Sequence, residues 1–279
     1  MSGTRLDPIV ADVRRRAIER RRAQPLERLR ELVREDSWRR ERFLAGFPKG
    51  ELGFIAEMKR RSPSAGTLLP EAENVDSTLP TRLPRPGPRY FALAQAYQKG
   101  GAAAISVLTE LDHFCGTLDD LRAVEFTRLP RLRKDFILDE AMLLESCLYG
   151  ADAVLLLPVI LEGGELAELR EVARTLGLAV LVEVHDEREL ERAVPLEPEL
   201  LGVNARDLKT FQVDLATVER LLPRVPPGSI KVAESGIRSV DDLKRVRAAG
   251  ADAVLVGEAL VRDGDPETTL RRWKDALRG

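Results

Sequence analysis

The chain of 279 residues has only two cysteines, Cys115 and Cys147, and only two histidines, His113 and His185. Two cysteines cannot make a disulfide framework, which points to a reducing, cytoplasmic setting. So few histidines and cysteines give no basis for a zinc or di-metal centre. No apolar run approaches the roughly 20 residues of a membrane-crossing helix, and no secretory pattern opens the chain. Charge of one sign is also missing. Forty-four basic residues face 46 acidic ones, for a net charge of −2. That removes the electrostatic case for nucleic acid or an anionic membrane as partner. No Gly-x-Gly-x-x-Gly follows any apolar run, which counts against a dinucleotide-binding sheet. The expectation is a protein without metal or cofactor, acting on a small molecule and working as a monomer.

What the chain does have is rhythm. Gly101-Ala102-Ala103-Ala104-Ile105 leads into an apolar run, Gly150-Ala151-Asp152-Ala153-Val154 into another, and Gly250-Ala251-Asp252-Ala253-Val254 into a third. A glycine that ends a helix and a continuous short apolar strand are the marks of a parallel sheet buried on both faces. Further apolar runs lie at Phe54–Lys59, Leu129–Lys134, Leu178–Val184, Leu200–Asn204 and Ile230–Glu234. Amphipathic stretches separate them, among them Leu166–Leu176, Glu187–Val194, Leu215–Leu222 and Val240–Ala249. Eight strands alternating with helices predict an α/β protein, a (β/α)8 barrel. The barrel should occupy residues 51–279. Residues 1–50 should form an N-terminal helical extension of the same single domain, broken at Pro25. The arginines of that extension alternate with Glu19, Glu27, Glu31, Glu35 and Glu41. This reads as a solvated face with ion pairs along the helices, not as an RNA-binding arm.

In such a barrel, chemistry sits where the strands end. Glu57 and Lys59 close the first run, two residues apart and so on one face. Taken alone they could be a surface ion pair on an exposed strand. Lys134, Glu183, Asn204 and Glu234-Ser235-Gly236 close later runs, and the last ends at Gly257-Glu258. Lysines and glutamates converging on one rim should shift each other's pKa values and prepare proton transfer. Ser235-Gly236 and Gly257, each ahead of a helix, predict a phosphate site built from backbone N–H groups.

These residues resemble those of the indole-3-glycerol-phosphate synthases. The most specific stretches are Glu57-Met58-Lys59-Arg60-Arg61-Ser62-Pro63-Ser64, Ile105-Ser106-Val107-Leu108-Thr109-Glu110, Leu132-Arg133-Lys134-Asp135-Phe136-Ile137, Asn204-Ala205-Arg206-Asp207-Leu208 and Ala233-Glu234-Ser235-Gly236-Ile237. The resemblance spans about Phe54 to Arg262. It implies a small phosphorylated substrate, 1-(2-carboxyphenylamino)-1-deoxyribulose 5-phosphate, closed to an indole with loss of CO2 and water. It implies Lys134 as general acid, Glu183 as the proton-transfer group of the dehydration, Glu57 as its charged neighbour, and Lys59 as a cation between phosphate and carboxylate. It further implies Ser62, Asn204, Arg206 and Glu234 as substrate-positioning groups. Ser235, Gly236, Gly257 and the backbone of Glu258 would hold phosphate. Phe114 and Phe136 would stack on the anthranilate ring, plain core packing being the alternative for both.

Two features depart from the family's pattern. Cys115 stands where an amide is more usual, and the proline-rich segment Glu71 to Pro88 lengthens the first loop. The segment should run over the side of the barrel without a catalytic residue, because its prolines stiffen it and its acids would repel an anionic substrate. His185 is given no role. Two other readings fit parts of the pattern: a Schiff-base aldolase using Lys134 or Lys59, and a phosphate-metabolite-binding protein with a decayed site.

Overall fold

Each apolar run forms a strand, and the eight strands close on themselves. A computed structural model describes residues 6–33, 38–62, 66–69, 86–208 and 210–278. The barrel strands are β1 (Gly53–Met58), β2 (Ala104–Leu108), β3 (Arg131–Lys134), β4 (Ala153–Leu156), β5 (Ala179–Val184), β6 (Leu200–Asn204), β7 (Ile230–Glu234) and β8 (Ala253–Val256). All pair in parallel with their sequence neighbours, and β8 closes against β1. The third strand starts at Arg131 and not at Leu129, because Pro130 has no N–H to give the ladder. Its carbonyl still accepts from Ile105 N–H at 2.8 Å.

The repeated Gly-Ala-Asp-Ala has a second purpose besides stopping a helix. Asp152 takes the Arg131 N–H at 2.8 Å, and Asp252 takes the Lys231 N–H at 2.9 Å. Each aspartate therefore pins the start of the preceding strand at the N-terminal face of the barrel, the face associated with stability.

The extension folds as helices Leu6–Ala23, Leu26–Leu32 and Trp38–Leu44, with the first break at Pro25 as expected. Leu6, Ile9, Val13, Phe43 and Phe47 are buried in the same core as the barrel. The expectation of a solvated, internally paired face needs correcting. Arg15 and Arg28 do pair within their helices. Arg16, Arg20, Arg21, Arg30, Arg40 and Arg42 instead reach Asp112, Glu145, Asp139, Glu140, Glu199 and Asp152 of the barrel. The reason is geometric: once an apolar stripe is buried, the long arginines flanking it overhang the surface beneath and find its acids. Arg42 is the most enclosed of these contacts. It lies 3.0 Å from both Asp152 oxygens and also donates to Arg128 O at 2.7 Å.

Residues 70–85, most of the proline-rich segment, lie outside the described residues. Pro88, expected in the loop, is the first residue of helix Pro88–Lys99. Its missing N–H costs nothing at that position.

Candidate active site

The C-terminal ends of the strands surround a cavity of about 450 Å³. Every residue proposed from sequence as catalytic, substrate-binding or phosphate-binding lines it: Glu57, Lys59, Ser62, Phe114, Lys134, Phe136, Glu183, Asn204, Arg206, Glu234, Ser235, Gly236, Gly257 and Glu258. The structure thus brings the whole set together. Glu57 and Lys59 are not an exposed pair, since their side chains are 7% and 15% exposed, with the Lys59 ammonium 2.5 Å from Glu57 Oε1. Lys59 lies one residue beyond the end of β1, where the strand opens into the first loop.

Lys134 is the centre of the rim. Its ammonium donates to Glu183 Oε2 at 2.6 Å and to Glu234 Oε2 at 2.9 Å. Burial alone would lower its pKa, but Glu183, Glu234 and Glu57 outweigh burial and raise it. The lysine is held as an ammonium. Its two carboxylates are driven apart. Burial works to raise Glu183, yet Lys134 and His185 pull it well below the usual carboxylate range. Burial and the neighbouring Glu183 charge push Glu234 up to about 8, against the pull of Lys134. Lys134 and His185 both favour the charge on Glu183, and that charge in turn favours the proton on Glu234.

Placement follows from strand register. Glu234 lies beside Asn204 and Leu255, while Glu183 lies beside Gly202. Gly202 has a specific reason to lack a side chain. A Cβ there would stand 2.2 Å from Glu234 Oε1. The glycine leaves the room in which Glu234 turns towards Lys134. Gly257 serves Glu57 in the same way, since an added Cβ would meet the Glu57 Cβ at 2.8 Å. Asn204 holds Glu183 from the side through a 2.8 Å donation to Oε1, and its own oxygen accepts Arg206 N–H at 2.9 Å.

The two aromatic rings, Phe114 and Phe136, lie 6.4 Å apart at 39° and face the cavity from β2 and β3 loops. The loop bearing Phe114 is tied by Glu110, whose carboxylate accepts three successive N–H groups, those of Asp112, His113 and Phe114. Cys115 follows with φ 56. That left-handed conformation suits an amide such as asparagine better than cysteine.

On the opposite wall, Ser235 and Gly236 are both left-handed, with φ 61 and 75. A serine held there stores backbone strain, which persists when the surroundings fix it. The following helix, Val240–Ala248, is not an open anion site as expected. Ser239 and Asp242 form a capping box, and Arg238 N–H also goes to Asp242. An anion on this wall must use the loop backbone at 235–237 and the start of helix Glu258–Asp263, which has no side-chain cap. The Glu258 side chain itself accepts from Arg262 at 2.9 Å.

Sequence reasoning missed His185. Its Nε2 lies 3.0 Å from Glu183 Oε1, and its Nδ1 lies 2.9 Å from Glu189 Oε2. The sequence carried no clear signal for it: His185 stands one residue past the end of β5, where a histidine looks like part of a loop.

A closed eight-stranded barrel with a lysine clamped between carboxylates at the C-terminal rim is the architecture of a (β/α)8 enzyme. The family model for indole-3-glycerol phosphate synthase matches residues 6–273, and the chain belongs to that family. It is 48% identical over 268 residues to the indole-3-glycerol phosphate synthase of Nocardioides sp., covering 96% of both chains. It is 41% identical to that of Mycolicibacterium smegmatis, covering 96% of this chain and 93% of the other. Among solved structures, the thiamine phosphate pyrophosphorylase of Pyrococcus furiosus superposes with a TM-score of 0.57 at 17% identity, over 81% of this chain and 96% of that one. That likeness is one of fold alone.

Proposed function

We infer that this chain is an indole-3-glycerol-phosphate synthase of tryptophan biosynthesis, and that the Lys134–Glu183–Glu234 cluster carries its proton transfers. It closes 1-(2-carboxyphenylamino)-1-deoxyribulose 5-phosphate to indole-3-glycerol phosphate with loss of CO2 and water. The observation that carries the reading is the geometry of the cluster: the Lys134 ammonium donates to Glu183 at 2.6 Å and to Glu234 at 2.9 Å at the wall of the cavity that all the other candidate residues line. Ring closure needs a proton delivered to the ribulose carbonyl oxygen while the anthranilate carbon attacks. Lys134, charged and at the cavity wall, is the donor. Loss of CO2 then restores the aromatic ring. Dehydration needs a proton removed and a hydroxyl expelled as water. Glu183, held ionised, is the acceptor. Glu234, still protonated at neutral pH, fixes the lysine and can donate to a substrate hydroxyl. Glu57 sets the position of Lys59, which faces the phosphate and carboxylate of the substrate. Ser62, Asn204 and Arg206 position the sugar. Phe114 and Phe136 cover the aromatic ring. Ser235, Gly236, Gly257 and the Glu258 N–H receive the phosphate.

A Schiff-base reading fits the site less well. An amine nucleophile must be neutral, and activated lysines have lowered pKa values. Lys134 is shifted the other way.

The remaining parts of the reading are the cytoplasm as the place of action, a monomer as the working form, and one domain with residues 1–50 as its extension. No helix among the described residues is long and apolar enough to cross a membrane.

The test is a pair of variants assayed by indole fluorescence. Lys134→Ala should lower turnover by about a hundredfold or more with a much smaller change in KM, the loss expected for a positioned proton donor. Glu183→Gln keeps shape and should lose turnover in the same way. A loss of only a few-fold in both folded variants would remove the cluster from the chemistry.

A further inference from the structure

We propose that His185 is a positioning residue for Glu183, an imidazolium clamped behind the catalytic carboxylate that fixes its orientation and its charge. The proposal rests on the proton-transfer role given to Glu183 above.

The geometry is that of a clamp. Glu189 Oε2 accepts both the His185 backbone N–H and, at 2.9 Å, the ring Nδ1. Glu189 is fixed in turn because its N–H is taken by Asp186 Oδ1, the N-cap of helix Glu187–Ala193. The ring so held presents Nε2 to Glu183 Oε1 at 3.0 Å, off the line of a full hydrogen bond. Its side chain is 7% exposed. Glu183 therefore has a cation on each oxygen: Lys134 on Oε2 and His185 near Oε1, with Asn204 also donating to Oε1. A carboxylate between two cations keeps its charge and cannot swing away from the lysine.

His185 also has a second side. Where Glu183 lines the substrate cavity, His185 lines a separate cavity of about 450 Å³ beneath the first helix of the extension. The charged groups facing it there are Asp7 and Arg14 from that helix, Glu162 after β4, Asp186 and Glu189 after β5, and Asp207 after β6. Acids predominate, which favours the charged ring. Burial opposes that charge, but Glu183 and Glu189 raise the imidazole to about 10. A substrate occupying the first cavity thus leaves this cation in place.

Each neighbouring charge moves Glu183 in a definite direction. His185→Gln deletes a positive charge beside the carboxylate, so the Glu183 pKa rises and the acid limb of kcat/KM moves to higher pH. Glu189→Gln keeps an oxygen to accept from the ring and backbone, but deletes the negative charge that partly cancels His185. The Glu183 pKa then falls and the acid limb moves to lower pH. Both shifts should approach about one pH unit, the usual scale for one close charge.

The experiment records kcat and kcat/KM against pH for the two variants by indole fluorescence, with circular dichroism confirming the fold of each. Expected for His185→Gln is a fall in kcat of about tenfold with KM within about twofold, as for loss of an interaction used in the transition state. Expected for the acid limbs is displacement in opposite directions. A merely structural histidine would lower activity without opposite displacements. Limbs that stay at the wild-type position, or that move the same way in both variants, would overturn the proposal. Should His185→Gln not fold, the Glu189→Gln limb decides alone, downward for the proposal and unmoved or upward against it. Near-normal turnover in Glu183→Gln is a different failure: it would remove the role of Glu183 itself and the proposal with it.

Discussion

At the scale of single residues, the site depends as much on absent side chains as on present ones. Gly202 has no catalytic atom, yet it decides where Glu234 lies. Gly202→Ala would place a methyl 2.2 Å from the present Glu234 Oε1, so the carboxyl must leave Lys134. The expected result is a loss of turnover of about tenfold or more with the fold intact, because a misplaced positioning group is costly even when nothing charged is removed. Wild-type kinetics in that variant would show that Glu234 tolerates displacement. His185 offers a residue-scale test by stability. Its pKa is raised from 6.5 to about 10 in the folded chain. A raised pKa contributes stability in full below the unfolded value of 6.5 and loses it as pH rises through about 10. The melting temperature of His185→Gln should therefore trail the wild type most near pH 6, with the gap narrowing towards pH 10. A gap that stays constant over that range would mean that the imidazole charge is not what stabilises. Glu183 and Lys134 could be read from the sequence because charges at the end of apolar strands are conspicuous. Gly202 and His185 could not. A glycine inside a strand gives no hint of the oxygen it makes room for, and a histidine one residue past a strand looks like part of a loop.

At the scale of elements, strand and helix positions were legible because glycine stops and continuous apolar runs are local signals. The extension was legible only in part. Its helices and the break at Pro25 follow from local chemistry, but the partners of its arginines are more than a hundred residues away in several cases, as with Arg20–Glu145 and Arg42–Asp152. No spacing rule within the segment can show that. Asp152 joins the two kinds of information. It pins β3 through the Arg131 N–H and receives Arg42 from the extension, and its own side chain is 2% exposed. Asp152→Ala would orphan a buried N–H and a partly buried guanidinium together. The expected cost is about 2–4 kcal/mol, read as a lower midpoint in urea with an unchanged slope. Activity at temperatures well below the new midpoint should be retained, because Asp152 lies at the face of the barrel away from the cavity. A cost under about 0.5 kcal/mol, the size of an ordinary surface change, would show that the pin is dispensable.

At the scale of the whole molecule, the division of labour is between two ends of one barrel. One end carries the aspartate pins, and the other carries the lysines, glutamates, aromatic rings and the strained Ser235-Gly236 turn. The barrel and the convergence of the rim were legible in the sequence once eight strands were counted, since the fold itself brings strand ends together. The exact way in which Glu183 and Glu234 divide charge was not, because it arises from burial and mutual distance. The proline-rich segment 71–88 was expected to run outside the site, and most of it, up to residue 85, lies outside the described residues. Replacing 72–87 by a short Gly/Ser linker should leave turnover within a few-fold and cost little stability, because closure depends weakly on loop length. A large loss of turnover in a folded variant would make that segment part of the site. The most direct test of the account is the reaction itself. The purified chain is mixed with 1-(2-carboxyphenylamino)-1-deoxyribulose 5-phosphate while indole fluorescence is followed. Fluorescence should rise until the substrate is consumed, with one CO2 released for each indole formed. Substrate left unchanged by the folded chain, with neither indole nor CO2 appearing, would contradict that account.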